Sequence, residues 1–457
     1  MSGGFYCTEC GYESRGWLGK CPGCGVWNSF VEAPKEQKSK SKKPSRSWLN
    51  EERTEVISLD QVEASEATRI KTSIEELDLV LGGGLVPGSL TLLGGEPGVG
   101  KSTLMLQVLS ALEEQEEGSV LYLSGEESPG QIKLRAERLG IDPKRVRVLA
   151  ATAFDELERA IDKLQPKFCF IDSIQTIYHE SVEAAPGSPS QLRAVTGSLL
   201  ALAKAQNISL ILAGHVTKDG QIAGPRILEH MVDTVLYFEG DDSSYFRLLR
   251  AHKNRFGSVN ELGVFELDST GLHSVENPSA MALEGRPLGV PGSALTVVME
   301  GTRPIILEIQ ALCTEASYTQ PIRMAEGFDR NRLNLLLALL AKTGQSKLLT
   351  TDVYINVTGG FRLKERAADL AVVAAILSAL EQKALADDLI VIAELGLSGE
   401  LRRVQQLERR VQEAIKLGFK RFVLPAQAEN SLKRLERPEL EFFFASVLDE
   451  AIDRIFP

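Results

Sequence analysis

The sequence predicts an α/β protein whose central domain is built on a mainly parallel sheet. Three observations lead there. Short apolar runs alternate with helical patterns between residues 90 and 238, and such alternation marks parallel strands joined by crossover helices. The first of those runs leads through a glycine-rich turn straight into a helical stretch. Four of the six cysteines crowd into the first 24 residues, outside that pattern, so a small separate module precedes the α/β part.

With 457 residues the chain has room for two or three domains of roughly 150 residues. An apolar share of 43% and a charged share of 25% are ordinary for a folded protein and exclude disordered and fibrous classes. No apolar stretch approaches the roughly 18–20 residues a membrane helix needs. The first residues lack the apolar core of a secretory signal. A cytoplasmic protein without a membrane partner is therefore expected. Fifty-one basic against 62 acidic residues give a net charge of −11. Proteins that coat DNA regardless of sequence are usually basic overall, so that role is excluded. A nucleic-acid motor, which confines positive charge to loops and a channel, is not.

In chain order, Cys7-x-x-Cys10 and Cys21-x-x-Cys24 form two knuckles, followed by Gly11 and Gly25 where the backbone must turn tightly. Four thiolates suit a tetrahedral zinc ion. Iron is the competing ion, because the Cys-Pro-x-Cys-Gly knuckle is also rubredoxin-like. Cys169 and Cys313 stand alone, which does not fit a secreted disulfide framework. The module is placed at residues 1–30. Residues 31–56 are polar and rich in lysine and serine and read as a flexible tether, with a weak polyanion contact as the alternative.

A nucleotide-binding domain is expected at 57–275. Its strands fall at 90–93, 120–123, 146–149, 168–171, 208–213 and 234–238. Its helices begin at 101 and run over 131–139, 154–164 and 191–205, and an antiparallel pair at 245–252 and 264–267 closes it. Gly95-Glu96-Pro97-Gly98-Val99-Gly100-Lys101-Ser102 matches G-x-x-x-x-G-K-[ST] in full, between a strand and a helix. Backbone N–H groups and the helix N-terminus suit the phosphates of ATP. Lys101 reaches the outer phosphates, Ser102 ligates Mg²⁺, and Thr103 completes the contact. Asp172 ends the apolar strand Phe168-Cys-Phe-Ile171 and is the second Mg²⁺ ligand. Glu126 is the first choice to orient the attacking water and Glu127 the second. His215 ends another apolar strand and is placed to sense the γ-phosphate, or else to bond backbone as strand-terminal histidines do. A second α/β domain is expected at 286–457, with strands at 294–299, 305–311, 389–393 and 421–424 and helices at 330–342, 365–382 and 408–417.

These motifs resemble a known family. Thr72–Asp78, the triple glycine Gly82–Gly84, the phosphate motifs and His215-Val-Thr-Lys218 resemble the RecA superfamily. The four-cysteine start and Lys253-Asn254-Arg255-Phe256-Gly257 narrow this to the RadA (Sms) family of bacterial DNA repair proteins. The C-terminal region resembles that family's Lon-protease-like domain, and the likeness spans nearly the whole chain. It implies a RecA-like ATPase core and a DNA-dependent ATP hydrolase of homologous recombination. Such a protein forms hexameric rings on single-stranded and branched DNA and drives branch migration, with the RecA recombinase as a candidate partner. The sequence does not distinguish a ring from a filament.

Within that frame Lys253 and Arg255 would reach a neighbouring subunit's γ-phosphate, as an arginine finger does. Loops 177–190 and 216–227 would face DNA, with Lys218 and Arg226 their only basic residues. A Lon-type peptidase needs a serine and a lysine. Here Ala367 stands at the serine's place and Glu408 at the lysine's, leaving a non-proteolytic scaffold in which Ser398 is a poor stray nucleophile. Basic residues cluster at Arg323, Arg330 and Arg332, at Lys364 and Arg366, and at Arg402, Arg403, Arg409 and Arg410. They read as solvated helix faces, with a duplex-binding or inter-subunit surface as the alternative. An ATP-dependent protease and a regulatory ring without DNA work are the competing functions.

Overall fold

A computed structural model describes residues 5–7, 13–14, 16–32, 69–215, 225–240, 246–316 and 320–456. Cys10, most of the 31–56 tether, and Lys218 with the rest of 216–224 lie outside the described residues. By contacts the chain divides into two units. One holds residues 1–239, 248–259 and 267–274, and the other residues 240–247, 260–266 and 275–457.

The N-terminal module is a three-stranded antiparallel sheet of β1 (Phe5–Cys7), β2 (Glu13–Ser14) and β3 (Phe30–Glu32), in the order β2-β1-β3. Its apolar centre is small: buried Cys7, Cys21 and Phe30, with Phe5 and Leu18 against them. A core of this size does not hold a fold by itself, so a metal staple is needed.

The nucleotide-binding part alternates as the apolar runs predict. α1 (Glu75–Leu81) is followed by β4 (Leu90–Gly95), α2 (Lys101–Gln115), β5 (Val120–Ser124) and α3 (Pro129–Arg138). Next come β6 (Val148–Ala150), α4 (Phe154–Leu164), β7 (Phe168–Asp172), α5 (Pro189–Gln206) and β8 (Ser209–His215). α6 (Pro225–Glu229), β9 (Thr234–Glu239), β10 (Phe246–Asn254), β11 (Leu262–Asp268) and β12 (Gly271–Ser274) complete the series. Along the sheet the order runs β10-β9-β4-β8-β7-β5-β6. β10 is antiparallel to β9, and the remaining pairs are parallel. The core is apolar from strand to helix, with Leu90 and Leu92 of β4, Ile171 of β7 and Leu212 of β8 meeting Leu192, Val195 and Leu199 of α5.

Local signals set the ends. Ser128 and Gln131 form a reciprocal capping box and Pro129 opens α3, satisfying N–H groups that a helix start leaves unpaired. Gly82 ends α1 in the left-handed region at φ 81°, where a Cβ is unfavourable. The strand expected at 146–149 begins only at Val148, because Asp142 caps a short 3₁₀ turn over Pro143–Arg145 just before it.

The second unit contains a Lon-like α/β domain. Its elements are α7 (Pro278–Ala282), β13 (Ser293–Glu300), β14 (Arg303–Glu315), β15 (Arg323–Glu326), α8 (Arg330–Lys342), β16 (Thr351–Val357), α9 (Asp369–Glu381) and β17 (Leu389–Val391). They continue with β18 (Glu394–Leu395), β19 (Leu401–Arg402), α10 (Leu407–Lys416), β20 (Arg421–Pro425), α11 (Glu429–Leu432), β21 (Glu441–Ala445) and α12 (Leu448–Ile455). Seven strands form one mixed sheet in the order β15-β16-β14-β13-β17-β20-β21. Every residue of α9 from Asp369 to Ala379 is buried, so this helix is the spine of the unit.

Three of the basic residues expected on solvated faces turn inward. Arg410 is buried, with bonds from its guanidinium to both carboxylate oxygens of Glu365, to Val297 O at 2.6 Å and to Gln405 O at 3.1 Å. Arg332 is clasped by buried Asp369, and Arg323 donates to the carbonyls of Thr351 and Leu348. For Arg332 the reason is the carboxylate, since fully buried Asp369 requires a cation beside it; for Arg410 it is the reverse, the buried guanidinium being matched by the partly exposed Glu365. Glu365 therefore belongs to this pair and not to the helix expected at 365–382, which starts at Asp369 after a 3₁₀ turn.

Candidate active site and metal centre

β4 is buried along its whole length and delivers its last residue to the phosphate loop. A Cβ on Gly95 would fall 2.8 Å from Phe238 O, so only glycine fits beside β9. Gly98 and Gly100 hold φ of 82° and 115°, in the region glycine adopts freely. Gly100 caps α2, and Lys101 is its first residue.

The Lys101 side chain is buried and folds back over the loop, its ammonium donating to Gly95 O at 2.8 Å and Glu96 O at 2.9 Å. Burial pulls its pKa down to about 8, against the opposing carboxylates of Asp172, Glu126 and Glu96. A bound polyphosphate adds negative charge and raises that pKa. Nucleotide affinity is thus at its full value below about pH 8 and weakens as pH rises from there toward the raised pKa of the complex. Titrating a fluorescent ATP analogue between about pH 6.5 and 9.5 checks this; affinity independent of pH would contradict it.

The other polar residues meet at the carboxyl ends of parallel strands, where ligands bind in open α/β sheets. The registers pair Ser124 with Asp172 and Gly95 with His215. Asp172 Oδ2 accepts from the buried Tyr122 hydroxyl at 2.8 Å. Burial first, and the Asp172 charge second, hold the Tyr122 phenol well above its usual pKa, so it stays a donor.

Glu126 follows a turn that only glycine allows, since a Cβ on Gly125 would lie 1.9 Å from Thr176 Oγ1. One Glu126 oxygen accepts from Ser173 Oγ and lies 3.5 Å from His215 Nε2. Gln175 Nε2 in turn reaches His215 O at 3.5 Å. Glu127, the second choice, instead pairs with Arg135 Nη2 at 2.6 Å. Gly95 to Thr103, Glu126, Asp172 and His215 therefore form one constellation. Tyr122, Ser173, Gly125 and Gln175 belong to it too and were not singled out from the sequence.

Lys253 and Arg255 are not part of it. The Lys253 ammonium donates to the carbonyls of Glu229 and Val232 at 2.7 Å and of His230 at 3.3 Å, capping the end of α6. Desolvation lowers its pKa, with the nearby Arg255 charge second. Arg255 pairs with Asp233 at 3.2 Å, and the other oxygen of buried Asp233 accepts from Leu90 N at 3.1 Å. Asn254 pairs with Thr234, which sits opposite Thr91. Arg255 thus lies at the start of β4, whereas the phosphate loop follows its end, about 16 Å away at roughly 3.3 Å per residue.

Of the two loops expected to face DNA, 177–190 is built around buried Gln191, whose amide bonds the backbone of His179, Val182 and Ala184.

In the N-terminal module the ligand atoms of Cys7, Cys21 and Cys24 all lie within 4.8 Å of one another, with Cys7 and Cys24 sulfurs 3.6 Å apart. Zinc–sulfur bonds of about 2.3 Å place tetrahedral sulfurs roughly 3.8 Å apart, so these thiols fit such an ion. In the Lon-like domain Ala367 is buried among Leu295, Val297, Ile390, Val404 and Leu407. Glu408 is exposed on α10 and accepts from Gln412 at 3.3 Å. Ser398 N–H bonds Glu400 in an exposed turn.

Three family models match the chain. "Rubredoxin metal binding domain" covers residues 5–32, "AAA domain" covers 54–221, and "Subunit ChlI of Mg-chelatase" covers 335–428. Among named relatives, the DNA repair protein RadA of Bacillus subtilis is 50% identical over 422 residues, 92% of each chain. That of Halalkalibacterium halodurans is 49% identical over 423 residues, again 92% of each. That of Listeria monocytogenes is 46% identical over 455 residues, 99% of this chain and 98% of its own. With a metal-binding module, a phosphate loop and a Lon-like domain in this order, and identity at this level over nearly its whole length, the chain belongs to the RadA family of DNA repair proteins.

Proposed function

We propose that the chain is a DNA-dependent ATPase of homologous recombination, assembled as a hexameric ring on single-stranded and branched DNA and driving branch migration. The observation that carries the reading is the position of Arg255. Its own fold holds it at the far end of β4 from its own phosphate loop, half exposed beside Asp233, where it cannot serve its own nucleotide and, in this reading, serves that of a neighbour. Lys253, fixed by three carbonyls, stands beside it. The repair role printed for the relatives supports DNA as the effector.

In this reading the N–H groups of the loop and Lys101 hold the phosphates of ATP, and Ser102 with Asp172 holds Mg²⁺. The ion supplies charge neutralisation on the transferring phosphoryl group. Tyr122 keeps the Asp172 carboxylate oriented. Glu126 accepts the proton of a water that attacks the γ-phosphorus, and the bond to the bridging oxygen breaks to leave ADP. His215, with Nε2 3.5 Å from a Glu126 oxygen and next in the chain to residues 216–227, couples that carboxylate to the DNA-facing loop.

The proposed layout is a zinc module at 1–30, a tether at 31–56, an ATPase at 57–275 and a non-proteolytic Lon-like scaffold at 286–457. Hydrolysis by the purified chain is expected to rise when single-stranded DNA is added. A rate indifferent to DNA would favour the regulatory ring, and casein degradation the protease.

Metal analysis is expected to return one zinc per chain. Chelation should open only about the first thirty residues to protease, because the ion supplies local folding energy. Iron in place of zinc, or loss of the ATPase fold on chelation, would contradict this.

A further inference from the structure

The N-terminal module exposes two of the chain's three tryptophans, Trp17 at 55% and Trp27 at 68%. Tryptophan is a residue that folding normally covers to a large extent, and neither the metal cluster nor the small core uses these rings. Both residues are anchored, Trp17 by its indole and Trp27 by its backbone. Trp17 Nε1 donates to Phe30 O at 3.2 Å, Lys20 and Trp27 form an antiparallel bridge, and Asn28 N–H bonds Gly19 O at 2.8 Å. The rings converge over Gly19: Trp17 Cζ3 and Trp27 Cζ3 lie 3.7 Å and 3.9 Å from the place a Cβ there would occupy. Gly19 does not have a positive φ, so the backbone does not demand glycine; its effect is to leave the space between the rings open. The Lys20 ammonium sits 5.6 Å from the Trp27 ring centroid, adding positive charge to an aromatic surface.

We propose that Trp17, Trp27 and Lys20 form a stacking platform for the bases of single-stranded DNA. The inference rests on the DNA-dependent reading above and assigns the module its part in it. Aromatic faces accept any base, and a neighbouring cation meets the phosphate; this is how single strands are bound without sequence preference. The charge also favours a polyanion over an apolar peptide. The sequence beyond the module, outside the site itself, has the same sign, with Lys35, Lys38, Lys40, Lys42, Lys43 and Arg46 against the single Glu36 over residues 35–46.

The test uses the full chain carrying Trp48→Phe, which leaves Trp17 and Trp27 as its only tryptophans. Oligodeoxythymidylate is expected to quench their emission, and an abasic oligomer of equal length to do so far less. Trp17→Ala and Trp27→Ala should each weaken oligodeoxythymidylate binding about tenfold, the scale of stacking one base on an aromatic side chain. The bound metal, one per chain, is measured in each variant. Should an alanine variant lose it, Gly19→Ile decides, since it fills the space between the rings without touching a thiol. The platform is overturned if emission is unchanged and the metal-bearing variants bind DNA as the parent does. It is equally overturned if a recombinase, and not DNA, quenches the rings, which would make the surface a protein contact. In both cases DNA-stimulated hydrolysis would persist, whereas loss of that stimulation in the parent would remove the underlying reading as well.

Discussion

Lys101→Ala is expected to abolish ATP turnover in a protein that still folds. Among the described residues Lys101 forms no salt bridge; its ammonium bonds the carbonyls of Gly95 and Glu96. Its removal therefore leaves no buried unpaired charge. What is lost is the cation that meets the phosphates, in a site whose loop geometry is already set by Gly95, Gly98 and Gly100. Preorganised donors aimed at developing charge contribute about 10²–10³-fold each, and a full charge at the phosphates contributes at least that. Thermal unfolding should stay close to the parent's, and nucleotide affinity should fall together with its dependence on pH above about 8. Near-normal hydrolysis by a folded variant would remove Lys101 from the site.

Arg255→Ala is expected to leave nucleotide binding close to that of the parent while DNA-stimulated hydrolysis falls by about 10³-fold or more, the scale of an arginine finger. Binding survives because Arg255 is at the opposite end of β4 from its own phosphate loop. Hydrolysis fails because a cation supplied across a subunit boundary acts mainly when charge develops on the transferring group. Its partner Asp233 is buried, so the variant also loses some stability, and thermal unfolding is measured beside hydrolysis so that the two losses are told apart. Mixed assemblies give the sharper measurement. Subunits with Arg255→Ala mixed with subunits with Lys101→Ala should regain activity at interfaces that join an intact loop to an intact arginine. A mixture that assembles yet shows no more activity than either variant would remove the role in trans. So would near-normal hydrolysis by Arg255→Ala alone.

The fold was legible wherever one short segment carried its own signal. Phe154–Leu164 and Arg330–Lys342 form helices over the predicted spans, because their apolar spacing and end residues lie within a few turns. The phosphate loop was legible for the same reason, being eight consecutive residues between a strand and a helix. Several short strands escaped notice, and two of the longer ones show why. β16 alternates Val353, Ile355 and Val357 inward with Tyr354 and Asn356 outward, a period-two signal that could have found it. β21 reads Glu-Phe-Phe-Phe-Ala, without alternation, and its Phe442 is settled by stacking on Phe422 at 5.2 Å.

The motif residues around the phosphate loop stand out in the sequence, but their partners do not. Nothing near Glu126 or Glu127 says that the first turns to Ser173 and His215 while the second turns to Arg135. That depends on Gly125 passing under Thr176, a contact between segments fifty residues apart. Tyr122 reads as one more apolar strand residue until β5 and β7 pair and bring Asp172 to its hydroxyl. Arg410 reads as one of a run of charges on a polar helix until Glu365 is folded against it.

By itself the sequence determined which side chains this protein has to work with: a phosphate-loop motif at residues 95–102 and four closely spaced thiols at its start. Those properties reside in side-chain types at short spacing, which a chain carries whether folded or not. Only the tertiary structure decided where each group stands. Strand register put His215 beside Gly95 and Arg255 at the opposite end of β4. It also decided which charges are buried in pairs and which face water. Register and burial are set by packing between segments distant in the chain, where the hydrophobic effect acts on whole faces and not on any local pattern.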